Sequence, residues 1–132
     1  MAQLGPTTVY GSINITGDSA CSGDTTCNGD ITASGNVSAY SDARIKENLE
    51  IIPNALDKVI QLTGYTYDRT DINTNRQTGL LAQDLQEILP EAVLTDNSGT
   101  LSISYGNTVG LLVEAIKDLK SEIDYLKEQL NK

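Results

Sequence analysis

Residues 11–40 read GSINIT (11–16), GDSACS (17–22), GDTTCN (23–28), GDITAS (29–34) and GNVSAY (35–40). Glycine returns at positions 11, 17, 23, 29 and 35, a period of six without a miss. Within each hexad the third and fifth residues are the more apolar or smaller ones: Ile13/Ile15, Ser19/Cys21, Thr25/Cys27, Ile31/Ala33 and Val37/Ala39. Such alternation describes a short strand with one buried face, and the glycine a corner where the chain turns. A fixed period points to a stacked β-structure. The alternative, a Gly/Ser/Thr-rich flexible linker, does not explain five hexads in register. One chain cannot stabilise this segment alone. Two small buried side chains per hexad yield only a few kcal/mol at roughly 25 cal/mol per Å². Ordering six residues costs about 1–2 kcal/mol each for the backbone. A β-helix within one chain takes about three hexads per coil, so five make under two coils. Three chains, each supplying one side of every layer, are the better solution, and such a β-solenoid fibre shaft has no free edge strands. Cys21 and Cys27 then take equivalent inward positions one hexad apart, where we read them as small buried hydrophobes. Two thiols without histidine or a second pair are a weak metal signal.

Charge locates the end of the repeat. Residues 1–40 hold no Lys or Arg and three acids, Asp18, Asp24 and Asp30, whereas residues 41–132 hold all nine bases and 15 acids. Two units are therefore expected, 1–40 as the end of a β-structured shaft and 41–132 as an α+β domain, meeting at Ala39-Tyr40-Ser41-Asp42. The second unit ends in a heptad pattern: Val109, Leu112, Ile116, Leu119, Ile123, Leu126 and Leu130 are spaced 3-4-3-4-3-4, the signature of a coiled coil. With Asn107 as N-cap, a helix over 107–131 would run about 36 Å. The intervening Glu, Asp and Lys residues read as a solvated face. Val109, Ile116, Ile123 and Leu130 would take the a positions and Leu112, Leu119 and Leu126 the d positions. Ile at a with Leu at d leans toward a parallel dimer, whereas the hexads ask for three chains. Three short heptads determine less than a shared folded domain, so an intertwined homotrimer is expected.

Between repeat and heptads the pattern predicts a compact α+β stretch. Pro53 suits a first helical position, Ile52, Leu56, Val59 and Ile60 follow helical spacing, and Gly64 can end that helix. Tyr65 and Tyr67 alternate as a strand, residues 69–78 read as a loop, and Gly79-Leu80-Leu81-Ala82 starts another structured segment. Leu81, Leu85, Ile88 and Leu89 predict a short helix stopped by Pro90. Val93-Leu94 and Leu101, Ile103 and Tyr105 predict two strands around an Asp96-Asn97-Ser98-Gly99 turn. This core is small, so packing against partner chains is expected.

Composition narrows the chemistry. The 132 residues carry 9 Lys+Arg and 18 Asp+Glu, a formal charge of −9, with no Phe, Trp or His. Without histidine, a Ser-His-Asp or Cys-His mechanism within one chain is excluded, and so is the commonest metal ligand. An acidic chain without a basic block argues against nucleic acid and anionic membrane as partners. No apolar run approaches the roughly 20 residues of a membrane span. The opening Met-Ala-Gln-Leu-Gly-Pro shows no basic and no apolar region, so no signal peptide is expected. Two cysteines rule out a disulfide scaffold. Met1 stands beside repeat-like sequence, and we expect a piece of a longer fibre.

Three blocks carry a family resemblance: Ser41-Asp42-Ala43-Arg44-Ile45-Lys46-Glu47-Asn48, then Gly79-Leu80-Leu81-Ala82-Gln83-Asp84 running to Leu89-Pro90-Glu91-Ala92-Val93, then Ile103-Ser104-Tyr105 leading into Leu111-Leu112-Val113-Glu114-Ala115-Ile116. Through them residues 41–132, 92 of the 132, resemble the C-terminal intramolecular chaperone domain of phage tailspikes, tail fibres, neck appendages and endosialidases. The resemblance implies a self-cleaving serine peptidase that cuts Tyr40-Ser41, with Ser41 as nucleophile and Lys46 as general base, and needs neither cofactor nor metal. It implies as partners two further copies of the chain and the upstream shaft, in a virion tail fibre or tailspike. The chaperone fragment would act in the host cytoplasm during assembly and then be released. The chemistry is sound in principle. A hydroxyl needs a base to become nucleophilic, and without histidine a lysine whose pKa is lowered by burial is the natural candidate.

Spacing constrains the pair. Five residues separate Ser41 from Lys46, about 140° on a helix and opposite faces on a strand. A bend must intervene, or neighbouring chains must assemble the dyad. A serine beside Asp is more commonly an N-cap or turn residue, and Lys46 could instead pair with Glu47 or Glu50 on the surface. Asp42 could orient the site or cap a helix; Arg44 could supply an oxyanion donor or an intersubunit ion pair. Three function classes follow: a chaperone that trimerises a fibre and cuts itself off, a structural trimerisation cap that never cleaves, and a receptor-binding fibre tip. The last predicts surface aromatics, and the hexads contain only Tyr40.

Overall fold

Short side chains and recurrent glycine leave residues 5–42 with no helix and no paired strand of their own. The computed structural model describes residues 5–132, and the chain divides into two units, Met1–Arg44 and Ile45–Lys132. The expectations placed on Met1 and on the opening Met-Ala-Gln-Leu lie outside the described residues. In the first unit the backbone bends at Gly11, Thr16-Gly17, Ser22-Gly23, Asn28-Gly29 and Ser34-Gly35, with chain of no regular structure between. The corner expected at each hexad's glycine is thus present in every repeat. Only at Gly11, with φ 119°, does the backbone itself call for glycine. The inward-reading side chains of Ile13, Ile15, Ile31 and Val37 are 57–86% exposed. Strand pairing and burial for this segment are not supplied within one copy.

The second unit is a small mixed α/β domain with a long C-terminal helix. Its elements are α1 (Ala55–Val59), β1 (Tyr65–Tyr67), β2 (Gln77–Gly79), α2 (Ala82–Ile88), β3 (Val93–Thr95), β4 (Leu101–Ile103) and α3 (Val109–Leu130). One-turn 3-10 helices occupy Pro90–Ala92 and Tyr105–Thr108, directly before β3 and α3. The strands make two separate antiparallel pairs and no closed barrel. Tyr65 faces Gly79 in the first pair, and Val93 faces Ile103 in the second.

The core is built from few, mostly small side chains: Ala55, Leu85, Leu89, Ala92, Leu111 and Ala115. Ile52, Leu56, Val59, Leu62, Ile88, Val93 and Ile103 pack around them. Ala55 on α1 and Ala115 on α3 are both buried, and small residues there let the two helices approach closely. Asn54, in the left-handed region at φ 53°, gives α1 no side-chain cap. Asp118 of α3 supplies one across the interface, accepting the Leu56 amide at 3.1 Å. α1 therefore starts two residues later than Pro53 predicts, because Pro53-Asn54 form the turn that enters it. The polar stretch 69–78, read as a loop, contributes Gln77 and Thr78 to β2. Asn107 belongs to the 3-10 turn, and Thr108 takes the position before α3.

Candidate functional site

The predicted scissile bond lies in exposed chain, with Tyr40 98% accessible. Immediately after it, the residues between Ser41 and Lys46 wind into a 3-10 turn, Ala43–Ile45. Asp42 starts that turn. Its Oδ1 accepts the Arg44 amide at 2.9 Å and Arg44 Nε at 3.0 Å, and its Oδ2 accepts Nη2 at 2.7 Å. One carboxylate thus caps the turn and takes the guanidinium in a fork, the strong two-bond geometry of Arg and carboxylate. The Arg44 side chain first, and its amide second, hold the Asp42 carboxyl below the usual carboxylate range; Asp42 in turn raises Arg44. Asp42 thus caps the turn, and Arg44 pairs with it within one chain.

Ser41, Asp42, Arg44 and Lys46 are all exposed in the single chain. Ser41 belongs to the first unit and Lys46 to the second. The burial that a lysine base requires is not furnished around Lys46 by one copy. Cys21 and Cys27, read as small buried hydrophobes, are exposed free thiols in the single chain. Thr25 Oγ1 donates to Cys21 Sγ at 3.3 Å. That bond, and next the Gly23 backbone, lower the Cys21 thiol. Among the described residues no three His, Cys, Asp or Glu side chains converge as a metal ion would need. Among them, too, no helix is long and apolar enough to cross a membrane.

A second candidate surface runs along α3. The helix has two apolar stripes. Leu111 and Ala115 face the core, with Asp118 beside them. Roughly a quarter of a turn around, at about 100° per residue, lie Val109, Leu112, Ile116, Leu119, Ile123, Leu126 and Leu130, 45–85% exposed. The heptad residues are therefore not used by the domain's own core. Glu114 pairs with Lys117 and Lys120 with Asp124 along the helix.

One contact escapes sequence reasoning. The Tyr105 hydroxyl, just before α3, accepts the Leu80 amide at 3.1 Å and fills the space where a side chain on Gly79 would stand. Gly79-Leu80 and Tyr105 belong to the second and third sequence blocks, so blocks 25 residues apart meet here. Their membership in those blocks was the only signal.

The model of the family described as the chaperone of endosialidase, whose name classes it among peptidases, matches residues 41–94. The match opens at Ser41 and includes the first two blocks that carry the resemblance. The chain is 40% identical over 98 residues to a long tail fiber protein Gp37 of Enterobacteria phage K3, which covers 68% of this chain and 8% of that protein. It is 40% identical over 99 residues to the protein of the same name from Enterobacteria phage M1, covering 68% of this chain and 39% of that one. For that of Salmonella phage S16 the identity is 31% over 100 residues, covering 68% and 13%. The chain spans less than half the length of each of these curated relatives. The resemblance carried by the blocks at 41–48 and 79–93 is borne out: residues 41–94 match the model of the chaperone of endosialidase family, and the chain is similar to long tail fiber proteins of phages.

Proposed function

We propose that residues 41–132 hold three copies of a phage fibre in register, fold the shaft upstream of them, and then release themselves by cutting Tyr40-Ser41. The observation that carries this reading is the place where the family match begins, residue 41, directly after the last glycine-led hexad. A folding domain abuts a repeat that cannot satisfy itself. Gly17, Gly23, Gly29 and Gly35 support the same view, since neither a positive φ nor a neighbouring atom within this chain requires glycine there. A layer packed from several chains would. In the reaction, Ser41 Oγ attacks the Tyr40 carbonyl carbon while Lys46 accepts the hydroxyl proton. The C–N bond breaks, the proton passes to the freed Ser41 amine, and an ester joins Tyr40 to Ser41 Oγ. Water hydrolyses the ester to the Tyr40 carboxylate and the Ser41 hydroxyl. A neighbouring copy is the source of burial for Lys46.

The α3 stripe supports the trimer and its direction. Val113, at an e position, is exposed beside Val109, Leu112 and Ile116. This broadens the apolar seam as three helices require more than two. In a parallel, in-register bundle Glu122 at g meets Lys127 at e of the next copy; an antiparallel one would set Lys120 and Lys127 against each other. The non-cleaving cap is the second reading, favoured by the exposure of Ser41 and Lys46 in one copy. Intact mass separates the two. Cleavage gives products of 40 and 92 residues from the chain of 132; the cap gives one intact chain. Ser41→Ala and Lys46→Ala should both leave it whole, and Lys46→Arg as well, because a guanidinium stays protonated at any usable pH.

A further inference from the structure

We infer that Asp42 is a positioning residue for the cleavage, acting with Arg44 as a clamp on the chain immediately downstream of Ser41. The inference rests on the Ser41–Lys46 reading above. Upstream of Ser41 the chain has no paired strand of its own; downstream, the first locally fixed geometry is the 3-10 turn Ala43–Ile45. The nucleophile therefore sits at the edge between chain with no regular structure of its own and chain wound into a turn. What holds it is one carboxylate receiving three donors, the Arg44 amide, Nε and Nη2, at 2.7–3.0 Å.

Two aspects separate this arrangement from an ordinary surface ion pair. The pair spans only two residues, so its bonds fix main-chain angles rather than linking distant parts. The same Oδ1 caps the turn and receives Nε, so the cap and the fork lock each other. As an exposed pair, with side chains 88% and 42% accessible, it contributes little to stability by itself. Its value lies in geometry. Attack requires reacting atoms about 3–3.5 Å apart, and a misplacement of about 1 Å can cost about a hundredfold in rate. The five-residue path from Ser41 to Lys46 runs through the clamped turn. Asp42 and Arg44 touch neither the carbonyl nor the base in this account; they set where Ser41 points.

Pulse-chase translation of the full chain, followed by gel separation of the 132- and 92-residue species, measures the first-order cleavage rate. Asp42→Ala should slow cleavage about tenfold or more. Asp42→Asn keeps an oxygen for the Arg44 amide and should recover a large part of that loss. Arg44→Ala should slow the wild type but have no further effect in the Asp42→Ala background, because the two act as one unit. Melting and oligomeric state, compared between Ser41→Ala and Ser41→Ala/Asp42→Ala, should be unchanged. A wild type that stays whole, or a Ser41→Ala chain that is cut normally, overturns the cleavage reading and the clamp with it. Cleavage that needs Ser41 but runs within about twofold of wild type in Asp42→Ala overturns the clamp alone. So do additive losses in the double variant, or a fall in melting that assigns the defect to folding.

Discussion

At Gly79 an added Cβ would overlap the Tyr105 hydroxyl, while the ring carbon that bears that hydroxyl stays 3.4 Å away, an ordinary contact. The hydroxyl is needed, since it satisfies the Leu80 amide. Gly79→Ala should therefore destabilise by about 1–3 kcal/mol through overpacking, and Tyr105→Phe by about 1 kcal/mol through the lost hydrogen bond. In the double variant the methyl enters the space the hydroxyl leaves. Its loss, read from denaturant midpoints, should be clearly smaller than the sum; additive losses would show that the two residues do not share that space. The sequence marked both residues as members of the family's blocks but not as neighbours, because a tyrosine reaching a backbone amide 25 positions away leaves no periodic trace. The core shows the same limit. Leu85 was legible from its helical spacing, whereas Leu111 and Ala115 lie off the a and d positions that the heptad spacing singles out. Leu85→Ala should cost about 2–5 kcal/mol, measured by the same midpoints, as it removes one of the two largest fully buried side chains.

Elements with strong alternation or punctuation were legible, and those held by polar contacts were not. The β3–β4 hairpin was read from its alternation and from Asp96-Asn97-Ser98-Gly99, where Gly99 adopts φ 85°. Asp96 Oδ1 accepts the Ser98 amide at 2.8 Å and the Thr100 amide at 2.9 Å. The Ser98 hydroxyl first, and the Thr100 amide next, hold the Asp96 carboxyl below its ordinary value. A lowered folded-state pKa means the turn's contribution is complete above the unfolded value, about 3.9, and fades as pH falls through the depressed one. The stability gap between wild type and Asp96→Ala should thus be constant near neutrality and close in acid; a gap that widens in acid would contradict the cap. β2 was missed because Gln77-Thr78-Gly79 carries no apolar face. It is held in part by Arg76, which reaches Asp68 at 2.8 Å and the Thr66 carbonyl at 3.0 Å. For α3 the spacing gave both the helix and the face that the core leaves open. Ile123→Asp, on that face and away from the buried cluster, should dissociate the assembly while circular dichroism and melting retain a folded domain. Sedimentation equilibrium of the wild type should give a trimer. A monomer at micromolar concentration would sink the proposal, and a dimer would show that Ile at a with Leu at d outweighs the demand of the hexads.

For the molecule as a whole, the two units pose opposite problems, and their junction relates them. The hexads are nearly alike, so a slip of one repeat between chains costs little, and register errors are the folding hazard of such a shaft. The second unit has its own core and an exposed apolar stripe on α3, so on the proposed reading it would fold and associate before the shaft is ordered. Three level copies would bring the Val37/Ala39 positions together first, and pairing would zip upstream from there. Once complete, such a shaft would unfold only by breaking many interchain strands together, and its persistence would no longer depend on the domain that aligned it. Cutting Tyr40-Ser41 would then remove the template, leaving refolding slow and making stability kinetic rather than thermodynamic. Two outcomes are expected in the full fibre. Deletion of residues 41–132 before synthesis should give aggregated or monomeric shaft, seen by sedimentation. After denaturation, the cleaved fibre should fail to reassemble, while the uncut Ser41→Ala fibre should recover its trimer. Normal assembly of the deleted fibre would remove the aligning role whatever happens at Ser41. Equal recovery of cut and uncut fibres would mean that cleavage has some purpose other than locking the shaft.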